Sequence, residues 1–414
     1  MKKKLLSFIF TLCLIIPCAL FVGCTKDKEP TSPPTPEPVN EVKVLLSDDG
    51  KTLYRFAPDN DETEYTVPEG VVNISIAAFE DCDNLTKVVL PSSLVNIKEK
   101  AFYHCNNLTT VEINSDVNVS EESFYCCIKL STIDTSKIIS YGESSFEDCR
   151  SLTTVTIAKE VTYLSPSVFA CFYMSGLGTA SNVTTITFES NSKLRSIQER
   201  AFRGCGKLTT INIPQSCTYI GDNAFAGSGL TSITIGKNIT HIGDYAFYSS
   251  NLETVDFEAG IDKFADVGNY VFADCDNLES VTNYPFVDVA KGLCWNCSSL
   301  ESFTFEDSST FVTIRTEAFS SSELLTTFTI VSNIISIEGG AFLSNNLTTI
   351  IIDSEFISKG LTSSSTGGLV IYANTIYIKT GLDITGSTYL LENFTKQANS
   401  NKSGYDMYVR NVTE

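Results

Sequence analysis

A phenylalanine returns at nearly constant spacing along this chain, at Phe79, Phe102, Phe124, Phe146, Phe169, Phe202, Phe225, Phe247, Phe272, Phe319 and Phe342. Most gaps are 22 to 25 residues. The long step from Phe272 to Phe319 divides into two ordinary ones with Cys294 in the aromatic slot, and the step to Phe202 is one repeat plus roughly ten inserted residues. That gives twelve repeats. A period of this size marks a solenoid in which each unit buries its apolar face only against its neighbours. Function in such a chain is expected on a surface, not in an enclosed catalytic pocket.

Further columns appear when the repeats are set on the phenylalanine. Five residues earlier the slot is apolar or aromatic in every repeat, as at Ile74, Ile97, Tyr141, Ile197 and Ile337. The residue just before it is usually small, such as Ala101, Ser123, Ala201 or Ala341, as a tight turn beside a large buried ring requires. About six residues after it a leucine opens a short alternating run, for example Leu108-Thr-Thr-Val111-Glu-Ile113. Period-two alternation rich in β-branched residues predicts one short strand per repeat, stacked into a parallel sheet. The outward positions of these strands are mostly hydroxyls, including Thr154, Thr156, Thr185, Thr187 and Thr210, with Asn212 beside them. Threonine suits an exposed strand position on structural grounds alone. The same face is also a candidate flat polar surface for a protein partner.

Seven cysteines share one slot, three residues after the repeat phenylalanine: Cys82, Cys105, Cys127, Cys149, Cys205, Cys275 and Cys297. Elsewhere that slot holds Ser228, Ser250, Ser322 or Asn345, with Phe172 the exception at the insertion. A position that accepts all three residue types calls for a small side chain that packs and makes a weak hydrogen bond. Disulfides between stacked neighbours are the competing reading, because coils about 5 Å apart fall within the bridging distance. Cys294-Trp295-Asn296-Cys297 imitates a redox CxxC, yet its cysteines are the phenylalanine and cysteine slots of the tenth repeat.

Enzymatic chemistry has little material here. The chain has two histidines, His104 and His241, in different repeats, so no catalytic triad or histidine metal site is expected, and no cofactor. The formal net charge of −20 gives no basic face for phosphate, and nucleic acid is excluded as an expected partner. The best irregularity is the insertion at 171–182, where Phe172, Tyr173 and Met174 need shelter or a partner. Trp295, the lone tryptophan, is a further candidate contact.

The repeated Ile-x-x-x-Ala-Phe-x-x-Cys-x-x-Leu-x-x-Ile-x-Ile, clearest from Ile97 to Ile113 and from Ile197 to Ile213, resembles the BspA-like leucine-rich repeats of bacterial surface proteins. The resemblance covers roughly residues 67–352. It implies a mainly-β leucine-rich-repeat solenoid with a right-handed superhelix and irregular or short helical turns. For some members it also implies adhesion to host matrix proteins or other cells. It does not imply an enzyme.

The amino terminus, Lys2-Lys3-Lys4 followed by an apolar run to Val22 and then Gly23-Cys24, resembles a bacterial lipoprotein leader. That likeness implies cleavage before Cys24 and a lipid on its sulfur. The expected organisation is a signal peptide at 1–23, a proline-rich tether at 24–41, a capping hairpin at 42–67, the solenoid at 68–352, and a cap and tail at 353–414. Within the last segment a helix is expected near 388–397 and a polar tail from Ala398. Taken together, these readings predict a non-enzymatic protein of the cell envelope, lipid-anchored and displayed at the outer membrane surface. It would bind a host extracellular-matrix or cell-surface protein and touch the membrane only through its lipid. A structural or nutrient-capture scaffold in an envelope complex is the competing function.

Overall fold

The computed structural model describes residues 43–172, 181–262, 266–306, 312–331, 334–352, 374–381, 394–398 and 401–411. The expected leader and tether, with Cys24, lie outside the described residues, as do Tyr173 and Met174.

Each coil is tied to the next by short parallel ladders. The strand opened by the repeat leucine is the one the alternation predicts: Thr154–Ile157 runs parallel to Thr185–Phe188, and Ser232–Ile235 to Thr254–Phe257. A second strand ends at the apolar residue five before the phenylalanine, as in Asn73–Ile74, Asn96–Ile97 and Val117–Val119. It is mostly two residues long, too short to leave a period-two signature of its own.

A third set of backbone bonds runs through the turn that carries the phenylalanine. Ala77, Phe79 and Asp81 donate their N–H groups to the carbonyls of Glu99, Ala101 and Tyr103 in the next coil, and the pattern recurs along the solenoid. Such spacing needs left-handed backbone two residues before the aromatic slot, as at Lys100 (φ 56°), Arg200 (φ 57°) and Tyr245 (φ 58°). Two residues after it the same conformation recurs at His104 (φ 57°) and Asp148 (φ 57°). This conformation is disfavoured for side chains other than glycine, so the ladder must hold it in place.

The phenylalanines form one stack inside these walls. Phe79 and Phe102 lie 4.7 Å apart at 7°, Phe102 and Phe124 4.9 Å apart at 3°, and the series continues to Phe272. Phe56, from the antiparallel hairpin Val44–Leu46 and Thr52–Phe56, sits on Phe79 at 5.2 Å and heads the stack. Cys294 interrupts it. There the strand residues Tyr284 and Phe303 supply aromatic bulk, with Phe303 meeting Phe319 edge-on at 4.9 Å before the stack resumes at Phe342.

The cysteine slot is a hydrogen-bonded packing column. Cys105, Cys127, Cys149, Cys275 and Cys297 each donate the S–H to the carbonyl of the aromatic residue one coil back, at 2.9 to 3.2 Å. Ser322 makes the same bond to Cys294 at 2.9 Å. The eleven cysteines from Cys82 to Cys297 are free thiols, as the packing reading requires and the disulfide reading does not.

The leucine-opened ladder is segmented. At Asp134-Thr135, where the second apolar strand residue is missing, the chain turns into a short 3-10 segment, Thr135–Lys137. Asp134 caps that turn by accepting from the Ser136 N–H, and the Thr135 hydroxyl accepts the N–H of Thr156 in the next coil. Residues 208–213 keep the inward–outward alternation, with Ile211 buried and Thr210 and Asn212 exposed, but form no strand.

Two expectations for the carboxyl end are corrected. Residues 394–396 of the expected helix are a strand, Phe394–Lys396, and the expected polar tail contains the strand Tyr405–Arg410. Thr375–Lys379 extends the sheet in parallel beyond Thr349–Ile352, Tyr405–Arg410 adds to it antiparallel and Phe394–Lys396 forms its outer edge, seating Tyr408 opposite Ile376 and Arg410 over Phe394. An open last coil demands such a partner, and that demand outweighs local helix preference.

Candidate binding groove

Three columns of the turn run beside the buried phenylalanine: the residue two before it, the residue just after it and the residue two after it. In most repeats these are small or charged. Across repeats five to eleven they build a groove of about 920 Å³.

One wall is Phe172 with Arg200 and Arg203. Phe172 is fixed by the buried pair Asp148–Arg150, whose charged atoms lie 3.3 Å apart. Asp148 accepts the Phe172 N–H, and Arg150 donates to the Phe172 carbonyl, each at 3.3 Å. The Arg203 guanidinium then lies over the Phe172 ring, 5.0 Å from its centroid.

The floor is low because the slots there hold Gly204, Ala226 and Gly227. A Cβ at Gly204, where φ is +73°, would meet the Cys171 carbonyl oxygen at 2.0 Å, so no larger residue fits that position.

The far wall is aromatic. Tyr245 stacks on Tyr270 at 5.3 Å and 6°, Tyr248 meets Tyr245 edge-on at 5.6 Å, and Trp295 stands at 84° to Tyr270. Tyr270 donates its phenol to Glu317 at 2.6 Å across the intervening coil. That reach depends on Gly292, where a Cβ would come within 2.2 Å of the Tyr270 ring. The Asp274 carboxylate, with burial second, pushes the Tyr248 phenol up to about 12, so at neutral pH it is a hydrogen-bonding group and not a base.

Among the described residues of the groove the one cysteine, Cys171, is not an activated thiol. Burial pushes the Cys171 thiol up to about 12. Cys294, in the aromatic slot, and Cys297, in the packing column, are wholly buried. Among the described residues no group of three or more His, Cys, Asp or Glu side chains could hold a metal ion.

The structure brings Phe172 and Trp295 to one groove, at its opposite walls. It does not bring the threonines there. Thr154 faces Thr185 and Thr156 faces Thr187 in register on the leucine-opened ladder, and Thr210 and Asn212 continue that exposed face. Arg200, Arg203, Tyr245, Tyr248 and Tyr270 were missed from sequence. Their signal lay in two columns: Arg203 and Tyr248 stand just after the phenylalanine, where Tyr103, Tyr125 and Trp295 also fall, and Arg200, Tyr245 and Tyr270 stand two residues before it.

The fold and its outward columns define a leucine-rich-repeat solenoid, a scaffold class whose repeats present surfaces. The chain matches the BspA type leucine-rich repeat region, in six copies, over residues 53–175, 178–287 and 262–361, and it belongs to that family. Among solved structures it is similar to a leucine-rich repeat protein from Bacteroides ovatus ATCC 8483, with 23% identity, a TM-score of 0.52, and coverage of 73% of this chain and 89% of that one. It is also similar to a leucine rich cell surface protein from Faecalibacterium prausnitzii A2-165, with 23% identity, a TM-score of 0.44, and coverage of 75% and 92%. The pneumococcal vaccine antigen PcpA shares 17% identity, with a TM-score of 0.45 and coverage of 82% and 94%. No curated protein matches the chain.

Proposed function

We propose that this protein is a lipid-anchored bacterial surface protein that binds a host matrix or cell-surface protein, with the groove as its central contact. The carrying observation is the convergence of Phe172, Arg203, Tyr245, Tyr248 and Trp295 on one open surface. Aromatic and arginine side chains concentrate binding energy at interfaces, and they are costly to expose without a partner. The lysine-led apolar leader ending at Cys24, followed by a proline-rich stretch, supports anchoring with the solenoid held off the membrane.

Two measurements test this reading. The intact lipidated protein is offered to immobilised matrix and cell-surface proteins. Saturable binding, weakened in a Tyr245→Asn/Trp295→Ala variant, is expected, and no binding to any of them removes the adhesion reading. Metabolic labelling with a tagged fatty acid is expected to mark the wild-type chain and not Cys24→Ser. Equal labelling of both would end the anchor assignment.

A further inference from the structure

The lining of the groove narrows which part of a surface partner can enter it. Among its described residues there is no leucine, isoleucine, valine or methionine, the groups that usually receive an apolar peptide side chain. Ring faces, ring edges and hydrogen-bonding groups take their place.

The aromatic wall stops at the seventh repeat, where the outward slots hold Asn223 and Ala226. Tyr270 stacks on one face of Tyr245, and Tyr245 shares the groove with Asn223 and, one repeat beyond it, Arg200 and Arg203. Beneath them Phe202, Phe225 and Phe247 are spaced by 5.4 and 5.2 Å. The walls therefore stand two coil spacings apart, which leaves room for one saturated ring in van der Waals contact with each.

A pyranose meets these conditions. Its C–H face lies flat on Tyr245, and hydroxyls around its rim reach Asn223, Ser249 and Arg203. None of those three side chains hydrogen-bonds or ion-pairs with another described residue; Arg203 only overlies the Phe172 ring. Tyr270 and Trp295, at right angles, offer a corner for a second sugar further along the axis. The net charge of −20 repels a polyanion at long range, so the chemistry favours an uncharged glycan.

We infer that the groove is a carbohydrate-binding site for a neutral oligosaccharide running along the solenoid axis, with one pyranose seated between Arg203 and Tyr245. The inference rests on the surface-binding reading above and names what enters the groove, whether a free polysaccharide or the glycan of a glycoprotein.

Trp295 is the only tryptophan, so its emission reports on the groove directly. The intact protein is titrated with neutral hexose oligosaccharides and, separately, with uronate-bearing ones. Immobilised glycoproteins are presented in parallel, native and enzymatically stripped of glycan. The expected result is a saturable emission change with the neutral series and, if the source is a glycoprotein, binding lost on stripping. Affinity should fall about tenfold in Tyr245→Asn and in Arg203→Ala. Each variant installs the residue that repeat seven carries at the same slot, so the backbone is preserved, and an unchanged circular dichroism spectrum checks this. Response to uronates alone overturns the inference. So does undiminished binding to stripped proteins that Tyr245→Asn abolishes, an outcome that leaves the surface-binding reading standing. Binding to no probe overturns both.

Discussion

The Cys105 thiol donates to the backbone carbonyl of Phe79, one coil back, at 2.9 Å, directly behind the stacked rings of Phe79 and Phe102. That carbonyl also accepts the Cys82 N–H that closes its own turn, so the small side chain is its second donor, repeat after repeat. Serine does the same at Ser322. Cys105→Ser is therefore expected to change stability by less than about 1 kcal/mol, whereas Cys105→Ala leaves the buried carbonyl without this donor and should cost about 1–2 kcal/mol. Thermal or urea unfolding of the two variants distinguishes them, and equal losses would remove the hydrogen bond from the account.

Burial of these thiols also fixes a pH dependence. Desolvation pushes Cys217 up to about 11 and Cys205 to about 12, from an ordinary value near 9. With folded values raised, the unfolded chain loses protons first as pH rises. Their stabilising contribution is whole below about pH 9 and declines between 9 and 12. Midpoints of urea unfolding should hold steady from pH 7 to about 8.5 and then fall. A midpoint that rises above pH 9 would contradict the sign.

Phe102 lies wholly buried between two parallel neighbours. Phe102→Ala should cost about 3–5 kcal/mol, seen as a lower melting temperature. The reverse operation at the interrupted slot should not help. Tyr284 is fully buried and packs on Phe303, which in turn meets Phe319, so Cys294→Phe overfills the site and is expected to lose about 1–3 kcal/mol. A stabilised Cys294→Phe protein would mean that the strand aromatics do not fill that space.

Asp148 and Arg150 are both at least nine-tenths buried, and together they hold the backbone of Phe172. Removing Asp148 takes away both the buried carboxylate facing Arg150 and the acceptor of the Phe172 N–H, so Asp148→Ala is expected to cost about 1–3 kcal/mol. It should also release Phe172 from Arg203 and weaken binding at the groove. A variant with unchanged melting and unchanged binding would show that the pair does not position that wall.

The period, the leucine-opened strand and the cysteine column could all be read from sequence, because each is a contact that every repeat makes in the same way. Tyr219 against His241, stacked at 4.4 Å, or Arg203 against Phe172 could not, since such pairs occur once and follow from the stacking of coils. The insertion and the lone tryptophan attracted attention as irregularities. What the pattern did not reveal is that glycines and alanines between them lower one stretch of an otherwise crowded face. The carboxyl end misled local reasoning for a related reason: Tyr408 and Arg410 are placed by the edge they cover, which lies in a different part of the chain.

The central claim is that recognition occurs at the groove and not on the threonine face. Cells displaying equal amounts of wild-type protein, of Tyr245→Asn/Trp295→Ala, or of Thr156→Lys/Thr187→Lys are counted on surfaces coated with a bound matrix protein. Adhesion at least tenfold lower for the groove variant, with the threonine variant close to wild type, is the predicted result. Wild-type adhesion by the groove variant, with loss in the threonine variant, would place recognition on the sheet and contradict the account.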